Sequence, residues 1–331
     1  MRAVVCNRFG EPEDLTVDDR ETVECPAGRV RVRIWSSGVN YVDALFVQGR
    51  YQIKPALPFV PGSEIAGEIT EVGSEVVGWS IGDRVMASIG LGGFADEAVL
   101  SPTQLTRIPD ELTFGQAATM AQSYCTAWFT LTRRTVLRPE DWVVIFGAAG
   151  GVGLAMLDVA RSFGAHTVAV ASSPEKLQLC IERNANAVID SSAPEDEVGS
   201  LRSQIREITG GGADIVVDPV GGRLTEEGLR SLREGGRLLV VGFASGTIPD
   251  LPANQVLLRN RSVLGIDWGA WALANPDENA ALLDEVMNGV RSGALSPVEP
   301  TARSLEEVGA VLRDLLERRI VGKLVLESRS R

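Results

Sequence analysis

Histidine is almost missing from this chain. His166 is the only imidazole in 331 residues, so any mechanism that needs two is excluded. Cysteine is sparse as well: Cys6, Cys25, Cys125 and Cys180 lie far apart with no Cys-x-x-Cys pair, which leaves no clustered thiolates for a structural zinc and fits a reducing compartment. No window approaches the roughly twenty uninterrupted apolar residues of a membrane span. The start, MRAVVCNRFGEPEDL, meets acidic residues too early for a secretory signal, so a soluble, cytoplasmic protein is expected. Basic side chains are outnumbered 32 to 44, and the net charge of −12 repels phosphate polymers and anionic lipid, which makes nucleic acid and membrane poor partners. Lysine is scarce within the basic set, present only as Lys54, Lys176 and Lys323.

What the chain does have, from about residue 140, is a regular alternation. WVVIFG (142–147), HTVAVAS, AVID, ADIVVDPV, GRLLVVGF and SVLGIDWG (262–269) are short β-branched runs. Between them lie segments with apolar residues at helical spacing: 151–164, about Pro174 to Arg183, a polar stretch to Thr209, and one to Arg233. Strand and helix in turn mean a parallel sheet, here of six strands, covered on both faces. The first 120 residues differ. RVRVRIWSSGV alternates charged and apolar residues, EIAGEITEVG and DRVMASI follow with glycine punctuation, and no long helical period precedes Phe114. An antiparallel, barrel-like domain of short strands is expected there, at 1–122, completed by 270–331, with the α/β domain at 123–269.

FGAAGGVG (146–153) follows the first strand of the alternation and opens its first helix. In that setting the small residues serve a dinucleotide. The backbone at Gly150, Gly151 and Val152 is open to a diphosphate at the positive end of a helix, and Gly153 permits close helix–sheet packing. Packing alone is the competing explanation of these glycines. The choice of dinucleotide falls about 20 residues on, where Ser172, Ser173, Pro174, Glu175 and Lys176 replace the acid typical of an NAD site. Two hydroxyls and a rare ammonium suit the 2′-phosphate of NADP, although Ser172-x-x-Glu175 also reads as a helix capping box.

These features resemble the zinc-free quinone oxidoreductase branch of the medium-chain dehydrogenase/reductase superfamily. The resemblance is carried by SGVNYVDALFVQGRYQIKP (37–55), LPFVPGSEIAGEITEVG (57–73), IGDRV (81–85), TAW (126–128), GAAGGVG (147–153), VVDPVGG (216–222), GGRLLVVGFASGTIP (235–249) and GKLVL (322–326). It implies a GroES-like catalytic domain, a Rossmann domain, and reduction of a small-molecule electron acceptor by NADPH, with a homodimer as the expected assembly. Zinc-dependent relatives carry a cysteine where this chain has Asn40 and Gly-His-Glu where it has Gly62, Ser63 and Glu64, and their four-cysteine lobe is missing, so no metal is expected.

Without zinc or a catalytic imidazole, alcohol oxidation lacks a base, whereas a quinone or a conjugated alkene takes hydride with little help. His166, at the start of the second strand, is expected to be structural. By resemblance, Asn40 lies beside the nicotinamide ribose and the acceptor, Tyr51 near the acceptor's entrance, Thr126 near the nicotinamide, Gly221, Gly242 and Phe243 along it, and Lys323 near the cofactor. Each has a structural alternative, such as turn capping by Asn40 or simple packing by Tyr51. Relatives often place a tyrosine after the third strand to assist the 2′-phosphate. Here Asp190 is followed by Ser191, which leaves room for NADH. Enone or enoyl-thioester reduction, and nucleotide binding without catalysis, are the rival functions.

Overall fold

A computed structural model describes residues 1–328. The chain forms two compact units, Met1–Gln122 together with the chain from Val298 on, and Ser123–Pro297.

In the first unit β1 (Arg2–Val5) pairs with β2 (Thr16–Asp19). The larger antiparallel sheet is built on β3 (Val30–Gly38), followed by β4 (Glu64–Val72), β5 (Arg84–Ser88), β6 (Glu97–Leu100) and β7 (Thr106–Arg107). The alternation read in β3 holds: Val30, Val32 and Ile34 are buried, while Arg33 faces water. Toward its end, Ser36, Ser37 and Gly38 are all buried, and a Cβ on Gly38 would overlap the Ala118 carbonyl. The chain then turns into the short helix Tyr41–Val47, so Asn40 stands where strand becomes helix.

The second unit carries β8 (Trp142–Phe146), β9 (His166–Ala171), β10 (Ala187–Asp190), β11 (Ala213–Asp218), β12 (Leu232–Val240) and β13 (Ser262–Gly265). They are parallel, in the spatial order β10-β9-β8-β11-β12-β13, which is the Rossmann order. The strand order reverses between β8 and β11, both of which are dry along their middles, with Val143–Phe146 and Ile215–Val217 fully buried. Each large aliphatic side chain so buried contributes roughly 1.5–3 kcal/mol. After this unit, β14 (Thr301–Ser304) pairs in parallel with β15 (Leu324–Glu327), and β15 lies antiparallel to the end of β3, with Val325 opposite Gly38.

Three expectations change. The last Rossmann strand stops at Gly265 rather than 269, because Asp267 caps a new helix, Trp268–Ala274, by accepting from Ala270 N at 2.9 Å. Residues 270–297, expected to complete the first unit, belong to the second, where the helix Pro276–Arg291 is tied by Trp128 Nε1 donating to Glu285 at 2.6 Å. β12 begins at Leu232 and ends at Val240, so Gly242 and Phe243 lie in the loop beyond it.

Candidate functional site

In the second unit the glycine stretch closes β8 into the helix Gly151–Ser162. Gly147 takes φ +58, a left-handed turn that favours glycine. Gly150 is the N-cap, and its carbonyl accepts from Leu154 N at 2.9 Å, so the amides of the first helical turn have no partner within the helix. Gly153 has another task. A Cβ there would sit 2.5 Å from the Gly147 carbonyl oxygen and 2.6 Å from Ala148 Cα, so this glycine lets the helix press against the turn. Gly150 is different: its φ of −85° suits any residue, and an added Cβ would meet only the Gly147 oxygen at 3.3 Å. Its bareness serves an approach from outside. Gly150, Gly151 and Val152 therefore present an unshielded helix amino end, which fits a diphosphate.

The loop after β11 lies beside this turn, since a Cβ on Gly147 would be 3.1 Å from the Val220 side chain. It is shaped by Asp218, which is fully buried. Asp218 Oδ1 accepts from the amides of Val220 and Gly221 at 2.8 Å each, and Oδ2 from Thr225 Oγ1 at 2.6 Å. Gly221, at φ +77, packs against the Phe243 segment, and Gly242 N donates to the Asp218 carbonyl at 3.3 Å. Gly221, Gly242 and Phe243 are thus brought together with the glycine turn at the carboxyl end of the sheet, the side on which doubly wound sheets bind ligands. Phe243 is 39% exposed, an uncovered ring at that edge.

At the end of β9 the N-cap is Ser173, not Ser172. Ser173 Oγ accepts from Lys176 N at 3.4 Å, with Pro174 as the first helical residue, so the helix has a simple N-cap at Ser173 and the alternative capping box Ser172-x-x-Glu175 does not form. Ser172 is left exposed. Asp190 is engaged locally, its Oδ1 accepting from the amide and hydroxyl of Ser192 at 2.8 and 2.6 Å, and Ser191 Oγ donates to the Ala171 carbonyl at 3.1 Å. Thr126 lies on the helix Ala121–Phe129, and its carbonyl accepts from Thr130 Oγ1 at 2.6 Å where a π-helical segment, Thr130–Arg134, begins. His166 packs its ring, tilted by 32°, 4.9 Å from that of Trp142 and meets Glu140 at 2.9 Å, at the opposite end of the sheet from the glycine turn.

The first unit holds a second constellation. Lys323 Nζ donates to Asn40 Oδ1 at 2.9 Å, and Asn40 Nδ2 donates to Glu64 Oε2 at 2.7 Å. Glu64 Oε1 also accepts from the Gln122 amide. Asn40 N donates to Asp43 Oδ2 at 2.8 Å, so the capping reading of Asn40 and its polar bridge are both realised. Asp43 and Glu64 are buried to within 1% of completely, and Asp43 Oδ1 has no hydrogen-bond partner. Burial pushes Asp43 up to about 7, opposed by hydrogen bonds from Asn40 N and Ser63 and helped by the Glu64 charge. Burial also raises Glu64, against the pull of Lys323, the Gln122 amide and Asn40. Burial lowers Lys323, against the two carboxylates. Tyr51 packs its ring 4.8 Å from that of Phe46, in the apolar cluster that also holds Val39.

Sequence reasoning named Asn40 and Lys323 as site residues, met Glu64 only as part of the departure from zinc-dependent relatives, and did not name Asp43. An Asn-x-x-Asp spacing at a helix start was the signal available for Asp43.

A parallel sheet in this order, with a bare turn at its switch point and an antiparallel unit on the same chain, defines the medium-chain dehydrogenase/reductase architecture. Residues 26–110 match the model of the alcohol dehydrogenase GroES-like domain, and residues 151–287 that of the zinc-binding dehydrogenase. The chain is 39% identical over 333 residues to the quinone oxidoreductase-like protein 2 homolog of Nematostella vectensis, which covers 99% of this chain and 89% of that protein. Among solved structures it matches a mycobacterial protein complexed with NADPH, at a TM-score of 0.88 and 28% identity over 99% of this chain and 100% of that one. It also matches the CurF ER cyclopropanase from the curacin A biosynthetic pathway, at a TM-score of 0.87 and 26% identity over 98% of each chain. The chain belongs to the zinc-free quinone oxidoreductase branch of the superfamily and is an oxidoreductase.

The zinc implied by the name of one family model does not fit these residues. Beside Asn40 and Ser63 lie Glu64, both of whose oxygens already accept N–H groups, and Asp43, which accepts from the Asn40 backbone N–H, with no imidazole or thiolate among them. Among the described residues no group of three or more histidine, cysteine or acidic side chains is placed to hold a metal ion.

Proposed function

We propose that this protein is an NADPH-dependent quinone reductase that passes hydride to a quinone or similarly electrophilic small molecule without a metal. The observation that carries the reading is the bare backbone at Gly150, ahead of the unpartnered amides of the helix Gly151–Ser162 and next to the loop of Gly221, Gly242 and Phe243. When bound, NADPH supplies the hydride. The chain's own residues hold its diphosphate at the helix amino end and meet its 2′-phosphate with Ser172 and Lys176, while Ser173 keeps that helix in place by capping it. The engagement of Asp190 by Ser192 weakens the case for NADH, because that carboxylate is already in use locally. The likeness to an NADPH-complexed protein supports the cofactor, and the likeness to a quinone oxidoreductase-like relative supports the acceptor.

The likeness to an ER cyclopropanase favours a second reading, in which a conjugated alkene takes the hydride. No helix among the described residues is long and apolar enough to cross a membrane, and the dispersed cysteines suit the cytoplasm. The open edge of β13, near exposed Leu257 and Leu258, supports a homodimer. The test is a spectrophotometric screen of NADPH and NADH against quinones, enones and acyl-thioester alkenes. Oxidation of NADPH by quinones alone is expected. Turnover of a crotonyl or acryloyl thioester with no quinone activity would replace the first reading by the second, and cofactor binding with no turnover would leave a nucleotide-binding protein.

A further inference from the structure

Acids outnumber bases 44 to 32 in this chain, so an arginine readily finds a carboxylate, as Arg223 finds Glu195 at 2.5 Å and Arg230 finds Glu226 at 2.7 Å. One group in the second unit does not. The side chains of Arg202 and Arg206, one turn apart on the helix Leu201–Ile208, and of Arg259, shortly before β13, have no hydrogen-bond or ion-pair partner among the described residues, and Arg206 Nη1 is buried. Arg261 joins them. It is only 7% exposed and lies where the helix Arg223–Ser231 passes into β12: Nη2 donates to the carbonyls of Arg230 and Leu232 at 3.2 and 2.6 Å, and Nη1 to that of Gln255 at 3.4 Å. Carbonyls do not neutralise its charge, and Nε is left buried without a partner. The charges that act on Arg261 are those of Arg259, Arg202 and Arg206, all positive.

The packing forces this meeting. Leu201 and Ile205 of one helix, Leu229 of the next and Val256 of the helix Ala253–Leu257 share one apolar cluster, so the arginines next to them in sequence are carried to a common rim. That rim lies at the amino ends of β12 and β13, whereas the glycine turn follows the carboxyl end of β8 in the same parallel sheet. The acids nearest in sequence are engaged elsewhere: Glu226 holds Arg230, and Glu227 accepts from the Arg202 backbone N–H at 3.3 Å. Four guanidiniums gathered in this way, one of them dry, repel one another, and a bound anion removes that cost.

We propose that Arg202, Arg206, Arg259 and Arg261 form a binding site for a small phosphate-type oxyanion, separate from the dinucleotide site. The forks come from two directions, a helix and the segment entering β13. That suits a tetrahedral group, whose oxygens take several forks, better than a carboxylate, which one fork saturates. The ligand is free phosphate or the phosphate group of a small molecule. Arg261, tied to three carbonyls, is the fixed charge of the site, and the unpartnered Arg202, Arg206 and Arg259 are the donors that close on the ligand. The proposal does not depend on the reductase reading.

The experiment is calorimetric titration of the full-length protein with inorganic phosphate at constant ionic strength, with NADP⁺ present to fill the glycine turn. Wild type is compared with Arg202→Gln and Arg206→Gln, with Arg20→Gln as an exposed arginine of the first unit, and with Gly150→Ala. Expected is saturable binding, weakened about tenfold or more in Arg202→Gln and Arg206→Gln, each of which has lost a charged donor. Arg20→Gln and Gly150→Ala should bind phosphate as wild type does. Removing one guanidinium relieves repulsion, so Arg206→Gln should melt no lower than wild type in phosphate-free buffer and gain less when phosphate is added. Glycerol 3-phosphate titrated alongside separates the sources: tighter binding than phosphate assigns the site to a phosphorylated small molecule, and weaker binding to the free ion. Phosphate binding that is absent, or equal in wild type and both arginine variants, would overturn the proposal, as would its loss in Gly150→Ala alone. Arginine variants that change the particle mass in solution but not phosphate binding would give these side chains to the acids of a second copy, and the proposal would fail.

Discussion

Lys323 Nζ donates to Asn40 Oδ1 at 2.9 Å, joining side chains 283 positions apart in the chain. The same asparagine amide donates to Glu64, so one neutral group holds an ammonium and a carboxylate in fixed relation. Asn40→Ala takes a charge-assisted donor from a buried carboxylate. A loss of about 1–3 kcal/mol in stability is expected in urea unfolding, with reduced turnover. A fully stable variant would mean that Glu64 is satisfied without Asn40.

The two glycines of the turn should separate folding from binding. Gly153→Ala forces a Cβ to 2.5 Å from the Gly147 oxygen and 2.6 Å from Ala148 Cα, and a cost of about 1–3 kcal/mol is expected. Gly150→Ala meets no such obstacle, so its melting temperature should stay near that of wild type while NADPH affinity falls about tenfold or more. Thermal unfolding and fluorescence titration of both variants check this. A Gly150→Ala protein that binds NADPH normally would count against a diphosphate on that backbone.

Asp43 sets a pH dependence of stability. Its folded pKa of about 7 lies above the ordinary 3.8, so its protonated form stabilises the fold fully below pH 3.8 and that contribution is lost as pH rises through 7. Asp43→Asn keeps an oxygen for the Asn40 amide and cannot ionise. Relative to wild type it should gain stability on the order of 2 kcal/mol at pH 8 and little at pH 4, read from denaturation midpoints at both. An equal effect at the two pH values would show that Asp43 does not titrate in this range.

Lys176 lies in the first turn of the helix that Ser173 caps, just after β9. Lys176→Ala should raise the KM for NADPH much more than that for NADH, because only NADPH carries the 2′-phosphate. Parallel changes with both coenzymes in steady-state kinetics would remove the assignment.

Much of the fold was legible because strand and helix signals are local. The period-2 alternation of β3 and the β-branched runs of β8, β9 and β11 are written within a few residues, and the structure has strands at each. Where a boundary depends on one hydrogen bond the reading slipped: Asp267 caps a helix inside what looked like a strand, and Ser173 rather than Ser172 caps the next. The glycine turn was legible because its meaning lies in position, after a strand and before a helix. Yet the separate tasks of Gly150 and Gly153 appear only when neighbouring atoms are placed around them.

By itself the sequence determined the kinds and order of the elements and the poverty in metal ligands and imidazole, since these depend on residue type and short-range spacing. Tertiary structure alone decided that Asn40, Asp43, Glu64 and Lys323 meet. Their association requires β15 to return antiparallel to β3 and β4 to pair with β3 on its other edge. Such contacts are set by burial and sheet register across hundreds of residues, and only there do two buried acids and an ammonium come together around one asparagine.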